Sequence, residues 1–83
     1  MASKQENLRK FNTILTSILD LAEDQIFDAL TPEEVESWDS FNGLIIASEL
    51  ESTFSLSFTT EEVTGVKNIG DMKAVLRGHQ IDI

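Results

Sequence analysis

The chain has 83 residues, of which 41% are hydrophobic, and its fifteen acidic and six basic side chains give a net charge of −9 at pH 7. This length predicts one domain, residues 1–83, with a small core. The absence of cysteine excludes a disulfide scaffold and a thiolate zinc site. Because no apolar run approaches membrane-spanning length and no signal-type leader is recognisable, we expect a cytoplasmic monomer.

The charges are unevenly distributed. No lysine or arginine occurs between residues 11 and 66, where twelve of the acids lie. Such a segment repels phosphate backbones and anionic lipid, which argues against nucleic-acid or membrane-surface binding, and it attracts partners with basic patches. An acidic surface that serves only solubility explains the sign of the charge but not the position of the bases.

The first predicted helix covers about residues 4–21. Ser3-Lys4-Gln5-Glu6 has the form of a capping box, and apolar residues follow at helical spacing at positions 8, 11, 15 and 18. A long acidic connection, residues 22–38, comes next. Within it, Thr31-Pro32-Glu33-Glu34 predicts a short helical turn, because a cap is followed by proline at the first helical position.

Three further helices are predicted from their caps. Asp39 would cap a helix over 40–53, Thr59 one over 60–65, and Asn68 one over 69–77. Residues 79–83 are expected to be a frayed tail. The sequence therefore predicts an all-α fold, a four-helix bundle with a long loop between helices 1 and 2 and a short third helix.

The predicted second helix carries two apolar stripes. One is expected to face the core, and it contains Gly43, Ile46, Ala47, Leu50 and Phe54. The other is rotated away from it, and it contains Phe41, Leu44, Ile45 and Ser48. A bundle of this size cannot easily bury both, so the second stripe is either a contact surface beside Ser40 or covered by the 22–38 connection. We favour contact for Ile45, whereas both alternatives stay open for Phe41.

Ser40 would lie in the first turn of this helix, where unpaired backbone N–H groups and the helix dipole favour a bound phosphate. A phosphodiester on its hydroxyl would be well placed, and the neighbouring apolar flank could hold an apolar cargo. An Asp-Ser pair before an apolar run is also a common way to begin a helix, so the pair alone carries little weight.

The surrounding residues resemble the acyl carrier and peptidyl carrier protein family over nearly the whole chain. The resemblance is carried by Trp38-Asp39-Ser40-Phe41, by the following apolar positions through Phe54, by Thr60-Glu61-Glu62-Val63 and by Asn68-Ile69-Gly70-Asp71-Met72. It implies a bundle of the acyl-carrier type. It also implies that a separate magnesium-dependent phosphopantetheinyl transferase attaches 4′-phosphopantetheine from coenzyme A to Ser40. The thiol of that arm would carry cargo as a thioester, loaded by an acyl or aminoacyl ligase and delivered to transferases or synthases.

The resemblance also implies roles for neighbouring residues. Asp39 would serve as helix cap and transferase contact. The expected partner-binding residues are Phe41, Asn42, Leu44, Ile45, Glu49, Glu51, Glu61 and Glu62. The chain departs from the fatty-acid type, because Ser37 and Trp38 replace its usual Gly-Ala and because Asn42 and Ile45 replace two acids. These departures favour a specialised pathway, such as polyketide, modified acyl or aminoacyl transfer.

Three other functions were weighed. An enzyme with Ser40 as nucleophile needs a base, but the only histidine, His79, is expected to be solvated in the tail, and no motif surrounds Lys67 or Lys73. The acids Glu33, Glu34 and Glu36 lack the spacing of a calcium loop. An acidic helical interaction or inhibitor protein that masks a basic partner fits the size, charge and fold, but it does not explain the Asp-Ser helix start beside an apolar stripe. We therefore expect a non-catalytic carrier without a metal.

Overall fold

Four α-helices make up the bundle in a computed structural model that describes residues 3–83. They are α1 (Lys4–Leu19), α2 (Ser40–Phe54), α3 (Thr60–Thr64) and α4 (Ile69–Gly78). Two 3₁₀ turns, Glu23–Gln25 and Pro32–Glu34, lie in the connection between α1 and α2. The described part of the chain contains no β-strand, so the all-α prediction is confirmed.

The first helix ends two residues earlier than expected. It begins as predicted, because the Ser3 side chain accepts a hydrogen bond of 3.1 Å from the Glu6 N–H. It stops at Leu19 because Asp20 adopts a left-handed conformation, with φ of 56°, which an aspartate tolerates better than most residues. The amide of Leu21 then bonds back to the Thr16 carbonyl, so the chain turns away from the helix axis.

One hydrophobic core holds the helices together. Every helix except α3 contributes buried side chains to it. They are Phe11, Leu15 and Leu19 from α1, Ile46 and Leu50 from α2, and Ile69, Met72 and Leu76 from α4. Ile46 and Leu50 belong to the stripe of α2 predicted to face inward.

The 22–38 connection forms part of this core. Leu30, Val35 and Trp38 are buried although none of them lies in an α-helix. The connection is also bonded to the start of α4, where the amides of Ile69 and Gly70 donate to the carbonyls of Leu30 and Asp28. A Cβ at position 70 would come within 3.3 Å of that Asp28 carbonyl oxygen, so the close approach favours glycine.

The C-terminal residues are packed against the domain, and the prediction of a frayed tail is wrong. Ile83 is buried, and Ile81 packs against the core. The side-chain amide of Asn7, itself buried, donates a 2.9 Å hydrogen bond to the Asp82 carbonyl. Burial of two isoleucines and pairing of a buried amide offset the entropy of ordering the chain end.

Candidate functional site

Ser40 is the first residue of α2, and its side chain is exposed. Asp39 precedes it in an extended conformation and caps the helix, because its Oδ1 accepts a 2.8 Å hydrogen bond from the Asn42 N–H. The cap fixes where the helix begins and so fixes the position of Ser40. Ser40 is therefore exposed to solvent at a defined helix start.

The backbone at this helix start retains donors. Among residues 3–83, neither the Ser40 N–H nor the Phe41 N–H has a hydrogen-bond partner, whereas the Asn42 and Gly43 amides both bond to Asp39. Free amides at a helix start, together with the dipole of a 15-residue helix, favour an anion at this point. Ser40 thus combines an exposed hydroxyl with neighbouring backbone amides that favour an anion.

The segment before Ser40 is held in place by two hydrogen bonds. The Ser37 hydroxyl donates to the Leu19 carbonyl at 2.7 Å, which joins the segment to the end of α1. The Asn42 side-chain amide donates to the Ser37 carbonyl at 2.6 Å, which joins it to α2. Asn42, expected as a partner contact, therefore has an internal structural role.

A groove of about 480 Å³ runs from Ser40 between α2, α3 and α4. Its walls are mainly apolar, and they include Trp38, Gly43, Ala47, Leu50, Val63 and Val75. Ser40 and Asp39 are also among the residues that line the groove. The groove could enclose a small apolar group attached near the hydroxyl.

The second stripe of α2 is largely solvent-exposed. Phe41 is 70% exposed and Leu44 is 61% exposed, so for Phe41 the structure favours a contact surface over coverage by the loop. Ile45, which was expected to be the exposed member, is only half-buried instead. The helix is rotated so that Leu44, rather than Ile45, points farthest outward.

The acids near the groove divide into two groups. Glu51 and Glu62 accept hydrogen bonds of 2.8 Å from the backbone amides of Phe58 and Thr59, so each holds the loop before α3. Glu49 and Glu61 are exposed. The second pair is better placed to meet a basic partner, because the first pair already has internal hydrogen-bond partners.

His79 is not the solvated residue that the sequence predicted. It is half-buried, its Nε2 lies 2.9 Å from Glu62 Oε2, and its ring meets the edge of Phe58 at a centroid distance of 5.6 Å. The pKa of Glu62 is lowered, mainly by the hydrogen bond from the Thr59 amide; desolvation opposes this shift, and His79 adds a further lowering. No hydrogen bond among the described residues joins Ser40 to His79.

Lys73 is also engaged elsewhere. Its ammonium group lies 2.7 Å from Asp28 and 5.8 Å from the centre of the Phe11 ring. The hydrogen bond from Lys73 is the main reason why the pKa of Asp28 is lowered. This pair links α4 to the 22–38 connection.

Residues 3–83 contain neither a candidate metal cluster nor a candidate membrane-spanning helix. No group of three or more His, Asp or Glu side chains comes together in a way that could hold a metal ion. In the same part of the chain, none of the helices has the length and apolar character needed to cross a bilayer.

The fold resembles that of a solved carrier structure. A proposed acyl carrier protein from Mycobacterium tuberculosis superposes with a TM-score of 0.68, at 18% sequence identity, over 94% of this chain and 99% of that chain. This similarity confirms the expected fold class, a four-helix bundle of the acyl-carrier type with a long loop between its first two helices and a short third helix. No family model and no curated protein matches the sequence.

Local sequence patterns indicate no packing role for Trp38, Asn7 or the C-terminal isoleucines. Trp38 belongs to the sequence motif around Ser40, and in the structure it is also buried and lines the groove. A usable signal existed in the connection, where Leu30, Val35 and Trp38 are isolated apolar residues in a polar segment. For Asn7 no local signal exists, because its partner is 75 residues away.

Proposed function

We propose that this protein is a non-catalytic carrier that holds acyl or aminoacyl groups as thioesters on a 4′-phosphopantetheine arm esterified to Ser40. The observation that carries the proposal is the exposed Ser40 hydroxyl at the start of α2, beside an apolar groove. The fold similarity to a proposed acyl carrier protein supports it.

The residues around Ser40 fit the arm. The free amides of Ser40 and Phe41 suit a phosphodiester on the adjacent hydroxyl. Asp39 is held beside the hydroxyl by the helix cap, since its Oδ1 accepts from the Asn42 amide. When bound, the arm supplies the thiol that the cysteine-free chain lacks.

The surroundings of Ser40 support carriage better than catalysis. A serine nucleophile needs a base within hydrogen-bond reach, but His79 bonds to Glu62 and Lys73 bonds to Asp28. The chemistry of loading and release would then be performed by partner enzymes, namely a phosphopantetheinyl transferase, a loading ligase and downstream transferases or synthases.

The surface beside Ser40 supports docking of such partners. Phe41 and Leu44 offer exposed apolar area, and Glu49 and Glu61 add negative charge beside it. We expect partner association rates to fall as salt is raised, because long-range attraction between these acids and a basic partner is screened. The apolar character at positions 41, 44 and 45 supports service in a specialised pathway rather than in general fatty-acid synthesis.

The test is direct modification. The purified protein is incubated with coenzyme A, magnesium and a broad-specificity phosphopantetheinyl transferase, and its intact mass is measured. We expect the gain of one phosphopantetheine, and no gain for Ser40→Ala. Ser48→Ala is the matched control, because Ser48 is another exposed serine of α2 and its loss should leave the mass gain intact.

Circular dichroism of both variants shows whether the helices persist. Failure of the folded wild-type protein to gain mass with several competent transferases contradicts the proposal and favours the acidic interaction protein. A mass gain that survives Ser40→Ala contradicts the assignment of the site.

A further inference from the structure

The indole N–H of Trp38 is a donor without a partner inside the groove. Trp38 is 7% exposed, and its Nε1 lies 3.8 Å from the position that a Cβ would occupy at Gly43, another residue of the groove wall. No hydrogen bond among residues 3–83 involves this nitrogen. In the same range, every buried side-chain nitrogen or oxygen that is shielded from solvent has a hydrogen-bond partner. The indole nitrogen therefore keeps some contact with solvent, and both Trp38 and the neighbouring Gly43 line the groove.

The other polar side chains of the groove are already engaged. Asp39 accepts from the Asn42 amide, Glu62 accepts from Thr59 and bonds to His79, and the Thr64 hydroxyl donates to the Thr60 carbonyl. Apart from the hydroxyl of Ser40, where the arm would be attached, Trp38 provides the one uncommitted side-chain donor in this part of the structure.

A buried indole N–H normally has an acceptor, because an unsatisfied donor in an apolar environment is costly. Water can serve while the groove is open to solvent. An apolar group that fills the groove would displace that water without replacing its hydrogen bond. The occupant that suits this groove therefore carries an oxygen acceptor of its own.

We propose that Trp38 is a specificity-determining residue whose indole N–H donates a hydrogen bond to an oxygen of the carried acyl chain. The structure then favours acyl groups that bear a carbonyl or hydroxyl oxygen on an otherwise apolar chain over plain hydrocarbon chains. The absence of a side chain at Gly43, opposite the indole nitrogen, leaves room for that oxygen. This inference rests on the proposed carrier function.

The chain contains a single tryptophan, so a ¹H–¹⁵N spectrum of labelled protein contains one indole signal. Ser40 is loaded by the transferase from hexanoyl-, 3-oxohexanoyl- or 3-hydroxyhexanoyl-coenzyme A, and intact mass confirms each product. We expect a downfield shift of the indole proton in the oxo and hydroxy forms relative to the hexanoyl form. We also expect its solvent exchange to slow several-fold, up to about tenfold.

Trp38→Phe provides the matched variant, because it keeps an aromatic ring and removes the N–H. In the wild type, the oxo and hydroxy cargoes should raise the melting temperature more than hexanoyl does, and in Trp38→Phe the three cargoes should be equivalent. If this variant does not fold, the indole signal of the wild type still decides the question.

The outcomes separate the two proposals. Loaded wild-type protein whose indole signal is the same for all three cargoes overturns the role of Trp38 while leaving the carrier function intact, since the mass gain has then been observed. An equal shift in all three forms relative to the unmodified protein would assign the acceptor to the arm or to the thioester carbonyl that all three share, and would also overturn it. Failure to load Ser40 overturns both.

Discussion

The two faces of α2 differ in what they do. Toward the core, Ile46 and Leu50 are almost completely buried, whereas Phe41 and Leu44 on the other side are more exposed than covered. Both faces are apolar, so hydrophobicity alone does not distinguish them. The exposed apolar area contributes less burial to the core than Ile46 and Leu50 do, and exposed apolar area of this kind is typical of contact surfaces.

The largest expected effect compares two leucines of α2. Leu50→Ala removes a buried side chain and should lower the free energy of unfolding by about 3 kcal/mol. Leu44→Ala makes the same chemical change on the exposed face and should change it by less than about 0.5 kcal/mol. Urea unfolding of both variants measures the difference. Equal losses would show that Leu44 also belongs to the core.

The C-terminal residues pack against the same core as the buried face of α2. Ile83→Ala should cost about 2 kcal/mol, the low end for a buried isoleucine, because a chain end can relax around the cavity. Asp82→Ala is the neighbouring control, since its side chain is exposed and its carbonyl still accepts from Asn7. Thermal unfolding followed by circular dichroism provides the comparison. If Ile83→Ala left the melting temperature unchanged, the C-terminal residues would not contribute to the core.

Ile45 has intermediate burial, so its contribution to stability shows where the buried face of α2 ends. Ile45→Glu should lower the free energy of unfolding by about 1 kcal/mol, because roughly half of a full side-chain burial is lost. Ser48→Glu adds the same negative charge at an exposed position of α2, so it corrects for repulsion among the acids. Chemical denaturation of the two variants separates burial from charge. A loss as large as that of Leu50→Ala would place Ile45 within the core.

The smallest expected effect is the pH dependence of the Asp28–Lys73 pair. Because the pKa of Asp28 is lowered in the folded protein, its contribution to stability is present above the ordinary carboxyl pKa of about 4 and is lost as the pH falls through the lowered value. Asp28→Asn should therefore be slightly less stable than the wild type at pH 7, and the difference should be smaller at about pH 3, below the ordinary carboxyl pKa. Urea midpoints at both pH values test this, and a constant difference would contradict it.

Local signals predicted the helices well. Asp39, Thr59 and Asn68 each accept a hydrogen bond from a backbone amide three residues later, as their capping patterns indicated. A cap is defined within one turn, so the sequence contains all the information that it needs. The position of Ser40 at the start of α2 was predictable for the same reason.

Long-range packing was not predictable from the same patterns. Residues 79–83 have no periodicity, and their burial depends on Asn7 and on the core that the other helices form. Likewise, whether Leu44 or Ile45 faces outward depends on a small rotation of α2 about its axis. That rotation is set by contacts with α1, which periodicity alone does not determine.

The shortest helix has a consequence for the capacity of the groove. α3 contains no buried residue, although Val63 and Thr64 form part of the groove wall. Displacing this wall therefore disrupts little of the core, whereas displacing α2 would expose Ile46 and Leu50. If the proposed carrier function is correct, cargo larger than the groove volume of about 480 Å³ would be accommodated by outward movement of this five-residue helix rather than by repacking of the domain.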